Sequence, residues 1–229
     1  MTRYFFFDID GTLLLSGGAG RVAMMRTMQA MYGLSELNRI EVHGRTDRGI
    51  IRDLFDSHDL HLDDTVFDEF RARYHDSLAE CITDCPGTLM PGAVEVLEFL
   101  NSTANVRLGV LTGNSGRAAH IKLEAYGLRH YFEFGGYGEF HFDRNDVARD
   151  ALAACREQYH PDAIQPDQVW VVGDTIHDIS CARAIGANVI AVATGNADVS
   201  LLSQHQPDLV MEDLTSAEAF ISPILNGHS

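Results

Sequence analysis

The sequence predicts an α/β fold in which a parallel sheet is covered by helices and a helical unit is inserted after the first strand. Two observations point there. Short, almost wholly apolar runs alternate with stretches of helical spacing, which is how strands buried on both faces of a parallel sheet read. Nearly a hundred residues then separate the first such run from the second, far more than one crossover needs.

The first run, Arg3 to Phe7, is aromatic and stops at Asp8. Val106 to Leu111 forms the next and stops at Thr112-Gly113-Asn114. Gln168 to Val172 ends at Gly173-Asp174, Asn188 to Val192 ends near Thr194-Gly195, and Asp208 to Met211 is a short fifth. Between the first two, residues 16–86 contain no strand pattern. Ala19 to Met31 and Asp64 to Ile82 carry helical apolar spacing, Pro86-Gly87 and Pro91-Gly92 punctuate the chain, and Val94 to Leu100 resumes a helix of the main sheet. The division expected is a core of residues 1–15 and 87–229, and an insert of residues 16–86, about seventy residues and within the usual range for a small domain.

Composition narrows the function classes. The 229 residues include 45% hydrophobic side chains and carry a formal net charge of -16. That is enough apolar material for a core and too acidic for a nucleic-acid partner or a polybasic membrane surface. No apolar run approaches membrane-spanning length, and Tyr4 to Phe7 is too short for a signal peptide. Of the four cysteines, Cys81 and Cys85 are spaced as neighbours on a helix, but no metal-site spacing is present. The expectation is reduced thiols in a cytoplasmic protein.

Three strand ends carry chemistry. In open α/β sheets ligands bind at the carboxyl ends of the strands, and those ends hold Asp8 and Asp10, then Thr112, then Asp174 and Asp178. Carboxylates at the mouth of an apolar strand are costly unless solvated, paired or metal-bound. A hard divalent cation such as Mg2+ relieves the repulsion among several of them. Read singly, each motif has a plainer explanation. Asp8-Ile9-Asp10-Gly11-Thr12 is an acidic turn after a strand. Thr112-Gly113-Asn114 is a helix cap or, through its hydroxyl and free N–H groups, a holder of a phosphate oxygen. Asp174 caps a helix and Asp178 meets its dipole. The convergence of the set is what favours a binding site. Lys122, the sole lysine of the chain, lies on the helix expected after Thr112, as a solvated residue or as a compact charge set against a carboxylate and a phosphate oxygen.

Together these motifs resemble the haloacid dehalogenase-like hydrolase superfamily, in its phosphoglycolate phosphatase-like branch. The match runs from Asp8-Ile9-Asp10-Gly11-Thr12 through Thr112 and a lysine to Gly173-Asp174 and Asp178. The resemblance implies a Rossmann-like three-layer core with a helical cap domain, and a Mg2+-dependent phosphatase acting on a small phosphorylated metabolite. It implies Asp8 as nucleophile, Asp10 as general acid and then base, and Thr112, Gly113 and Asn114 around the phosphate. Metal ligands would be Asp8, Asp174, the main-chain carbonyl of Asp10 and, through water, Asp178. His43-Gly44-Arg45-Thr46-Asp47 would reach the substrate from the cap, with Arg45 its cation. The branch usually places a Lys-Pro pair shortly before the last acidic motif. The matching stretch, Phe140 to Arg149, has no lysine, so Lys122 is favoured as the phosphate-holding cation and Arg144 is held in reserve.

Other readings use the same residues. A phosphomutase would return the phosphoryl group to a sugar phosphate, and a non-catalytic regulator would bind phosphate without turnover. A phosphoaspartate receiver has clustered acids but no insert of this length. Dehalogenation fits poorly with Asp10-Gly11.

Overall fold

The computed structural model describes residues 1–159 and 164–225. The remaining positions of the expected core, 160–163 and 226–229, lie outside the described residues. The chain begins with β1 (Arg3–Phe7), followed by β2 (Leu14–Leu15), α1 (Ala19–Tyr32), α2 (Asp47–Asp56), α3 (Asp64–Cys81) and β3 (Thr88–Leu89). It continues through α4 (Ala93–Ser102), β4 (Val106–Thr112), α5 (Gly116–Ala125), β5 (Phe134–Tyr137), α6 (Arg144–Tyr159) and β6 (Val169–Gly173). The last elements are α7 (Ile176–Ala184), β7 (Asn188–Val192), α8 (Val199–Gln204), β8 (Leu209–Met211) and α9 (Ala217–Leu225). No helix among the described residues is long and apolar enough to cross a membrane.

Six strands form one sheet in the order β5-β4-β1-β6-β7-β8, and all of its pairings are parallel. Central β1 explains its own sequence. Successive side chains of a strand point to opposite faces. Phe5 and Phe7 enter the layer built with α4, α5 and α9, while Tyr4 and Phe6 enter the layer built with α6 and α7. Both faces are buried, so no polar residue interrupts the run. The ring of Phe6 meets Phe134 edge-on, with centroids 5.2 Å apart.

Helices α1, α2 and α3 bury a third apolar cluster, which includes Met28, Leu54, Phe55, Phe70 and Leu78 and takes in Ala118 of α5. Local chemistry fixes their ends. Gly33, in the left-handed region, closes α1 by donating its N–H to the Gln29 carbonyl. The Thr46 hydroxyl accepts from the Gly49 N–H at the start of α2, and the Asp63 carboxylate accepts from the Val66 N–H at the start of α3. The chain leaves for these helices through β2 and returns through β3, and the two strands pair antiparallel, Leu14 with Leu89 and Leu15 with Thr88.

Three features differ from the sequence reading. β5 was not expected, because Phe-Gly-Gly-Tyr reads as a loop; it forms as an edge strand paired with β4. β2 and β3 have two residues each, too few to show a period. Cys81 and Cys85 do not share a helix, since α3 ends at Cys81; all four cysteines are free thiols.

Polar contacts join the inserted helices to the sheet domain. His75 of α3 is buried, and its Nε2 lies 2.7 Å from Oγ of Ser115, the residue that precedes α5. The Asp47 carboxylate accepts from the Ser115 N–H at 2.7 Å. Arg71 pairs with Glu139 at 3.0 Å, and Glu139 also accepts from the Gly116 N–H.

Truncating Phe6 to Ala should destabilise the fold by about 3–5 kcal/mol, read from urea denaturation, because the site is enclosed by rigid packing. Burial, with help from Arg71 and Arg117, pushes the His75 imidazole down to about 4. The unfolded chain takes up that proton near the ordinary histidine value, so protonation favours unfolding. The contribution of His75 is complete above about pH 6.5 and declines as pH falls toward 4, by linkage. The urea midpoint of His75→Gln should therefore fall less between pH 7 and pH 5 than that of the native chain.

Candidate active site

The carboxyl ends of β1, β4 and β6 meet at one cavity of about 450 Å³, lined from the sheet side by Asp8, Asp10, Thr112, Asn114, Lys122, Arg144 and Asp174. Residues more than 160 positions apart are adjacent here because β1 lies between β4 and β6.

Asp8 directly follows β1 and is almost fully buried. Its N–H donates to the Val172 carbonyl, which continues the sheet register into the site. Gly11, at φ 90°, then turns the chain sharply, and a Cβ there would stand 2.5 Å from a carboxylate oxygen of Asp174. Only glycine satisfies both demands. Thr12 donates to Asp174 at 3.0 Å, so the first and last motifs lock together.

Asn114 organises the second strand end. Its amide nitrogen donates to Asp10 at 2.7 Å and to the Thr112 hydroxyl at 2.8 Å. Its amide oxygen accepts from Lys122 at 2.7 Å. Lys122 also donates to both oxygens of Asp10, at 2.8 and 2.7 Å. The lysine is buried and the Asp10 side chain is 39% exposed, which leaves Asp10 aimed into the cavity.

The structure separates the two cations weighed from the sequence. Lys122 rests on Asp10 and Asn114. Arg144, the first residue of α6, is the cation beside Asp8, at 3.4 Å, and it pairs more closely with Asp178. Its Nε is buried without a hydrogen-bond partner among the described residues. Asp178 is completely buried; beyond Arg144 it accepts from the N–H and hydroxyl of Thr175. Thr175, rather than Asp174, is the N-cap of α7, and Asp178 completes a reciprocal cap with it. His177 is exposed.

The segment from His43 to Asp47 lies over the end of β4. The Asp47 N–H donates to the Gly113 carbonyl at 2.7 Å, and a Cβ on Gly113 would stand 2.0 Å from the Arg45 carbonyl oxygen. His43 and Arg45 line the cavity, but the Arg45 guanidinium is held by Asp53 at 2.7 Å. The role of Asp47 as an acceptor for the α5 N-terminus, and the His75 contact behind it, had no signal in the sequence, since both depend on which turn the insert covers.

Carboxylate oxygens of Asp8, Asp174 and Asp178 come within 4.8 Å of one another. Burial raises the Asp8 carboxyl above its ordinary range; Arg144 opposes that rise, and Asp178 and Asp10 add to it. Asp174 is raised by burial and then by Asp178 and Asp8. All-oxygen donors, crowded and partly unsatisfied in charge, suit a hard divalent cation such as Mg2+. Removing one charge from such a cluster is costly. Arg144→Met should lower stability by about 3–5 kcal/mol, and added Mg2+ should raise the melting temperature of this variant more than that of the native chain.

Comparisons with known proteins agree with this geometry. The profile of the haloacid dehalogenase-like hydrolases matches residues 5–192. A phosphoglycolate phosphatase of Chromobacterium violaceum is 29% identical over 209 residues, covering 86% of this chain and 87% of that protein. The pyrophosphatase PpaX of Bacillus pumilus is 23% identical over 94% of both chains. Among solved structures, CbbY from Rhodobacter sphaeroides in complex with phosphate shares the fold, with a TM-score of 0.72, 16% identity and coverage of 94% and 96%. The acidic strand ends, the parallel sheet that gathers them and the extent of the profile match converge on one statement: this chain belongs to the haloacid dehalogenase-like hydrolase family.

Proposed function

We propose that the chain is a Mg2+-dependent phosphatase that hydrolyses a small phosphorylated metabolite through a phosphoaspartate on Asp8. The observation that carries this reading is the meeting of Asp8, Asp10 and Asp174 with the Thr112–Asn114 turn at one cavity. The names of relatives, phosphoglycolate phosphatases among them, support the reaction class by analogy.

Each residue has a task in this reading. Asp8, at the floor of the cavity, attacks phosphorus, and covalent capture divides one hard displacement into two. Asp10 gives a proton to the leaving alcohol oxygen and later takes one from the attacking water. Lys122 and Asn114 fix the direction of its carboxyl group. Thr112 and the main-chain N–H groups beyond it receive phosphate oxygens. Asp8, Asp174 and the main-chain carbonyl of Asp10 would hold Mg2+, which when bound screens charge on the phosphoryl oxygens. Arg144 is the cation beside the nucleophile and is assigned the phosphate-holding role for which the sequence favoured Lys122. Asp178 is read as its positioning partner and an indirect metal contact. The inserted helices serve as a cap that excludes bulk water.

Phosphate release from para-nitrophenyl phosphate tests the proposal. Turnover should require Mg2+, cease with chelator, and fall by at least about a thousandfold in Asp8→Asn, the scale of losing a nucleophile. Turnover that survives Asp8→Asn would remove the phosphoaspartate step. Transfer to a sugar phosphate without accumulation of free phosphate would indicate a mutase.

A further inference from the structure

We infer that the substrate of this site is a phosphomonoester whose alcohol part is an uncharged, largely apolar body. The inference rests on the phosphatase reading above and concerns the half of the cavity that the reacting groups leave free.

The cavity, about 450 Å³, is too large for a phosphate and a two-carbon acid alone. It falls within the range of about 300–1,000 Å³ that encloses ligands of drug size. Its wall away from the acids is mostly apolar, with Arg21, Asn38, His43 and Arg45 as its polar members. Met24 comes from α1, Leu37 and Ile40 from the following loop, and Ile50 and Leu54 from α2. An apolar wall facing a chamber of this size gains most from a ligand that displaces water from it. Phosphate chemistry at the other end supplies orientation, not a reason for such a wall.

The polar groups of the chamber agree. Tyr74, only 1% exposed, lines the cavity, and its hydroxyl makes no hydrogen bond among the described residues. Burial holds the phenol well above its ordinary range, so it remains a donor. It offers a neutral contact to a hydroxyl, ether or carbonyl oxygen. Charge recognition is poorly provided. Arg45 is neutralised by Asp53, Lys122 by Asp10 and Arg144 by Asp178. Of the cations lining the cavity, exposed Arg21 alone lacks an ion-pair partner among the described residues. A compact acidic alcohol would have Arg21 alone to hold its second charge and would leave half-buried Leu37 and Ile40 uncovered.

The test compares ethyl, butyl and hexyl phosphate, whose leaving alcohols are similarly acidic, with 2-phosphoglycolate, for the native chain with Mg2+. The expected result is a rise in kcat/KM of about threefold per methylene along the alkyl series, with 2-phosphoglycolate below butyl phosphate. Leu37→Ser with Ile40→Ser, at half-buried loop positions, should lower the hexyl-to-ethyl ratio at least tenfold while the melting temperature shows the protein folded. A flat series, a preference for 2-phosphoglycolate, or a ratio indifferent to the double variant would overturn the inference and leave the phosphatase intact. No phosphate release from any of the compounds would remove the phosphatase reading, and the inference with it.

Discussion

Everything at the reacting end of this molecule answers one constraint: three buried carboxylates are held within a few ångströms of one another at the ends of apolar strands. Burial leaves them little solvation, and their mutual repulsion adds to the cost. The fold compensates by several means at once. Arg144 enters from α6, Thr12 donates from the first motif, and Thr175 caps α7 against Asp178. A cluster that needs this much support is poorly explained as a folding device, because apolar side chains of similar volume would serve stability better.

The same constraint explains the glycines at the site. Gly11 must turn with positive φ and leave room for Asp174. Charge and backbone shape are thus specified together. The two buried cations divide their labour by geometry: one pairs with the acid cluster, while the other, together with Asn114, bonds Asp10.

Much of this was legible in the sequence. The strand ends at Asp8, Thr112 and Asp174 stand out because strands buried on both faces are uninterrupted apolar runs, and polar residues appear only where such a strand stops. Lys122 was legible through its rarity. Less was legible where partners come from a distance. Arg144 opens a helix whose register against β1 no local pattern reports, so its place beside Asp8 emerges only in three dimensions. β5 has two glycines in four residues and draws its strand character from pairing with β4 rather than from its own side chains. The buried polar link from His75 to Ser115 and Asp47 depends on how the insert docks, which neither segment encodes alone.

The short pairing of β2 with β3 carries a consequence for how such a molecule can diversify. Departure and return lie side by side, with Leu14 opposite Leu89, so main-chain pairing holds the two ends of the insert together. The intervening helices can change in length without stretching a strand, provided the contacts of Asp47, His75 and Arg71 with the start of α5 and with Glu139 are kept. The joint fixes where the insert begins and ends, so the chamber above the acids is shaped between two anchored points.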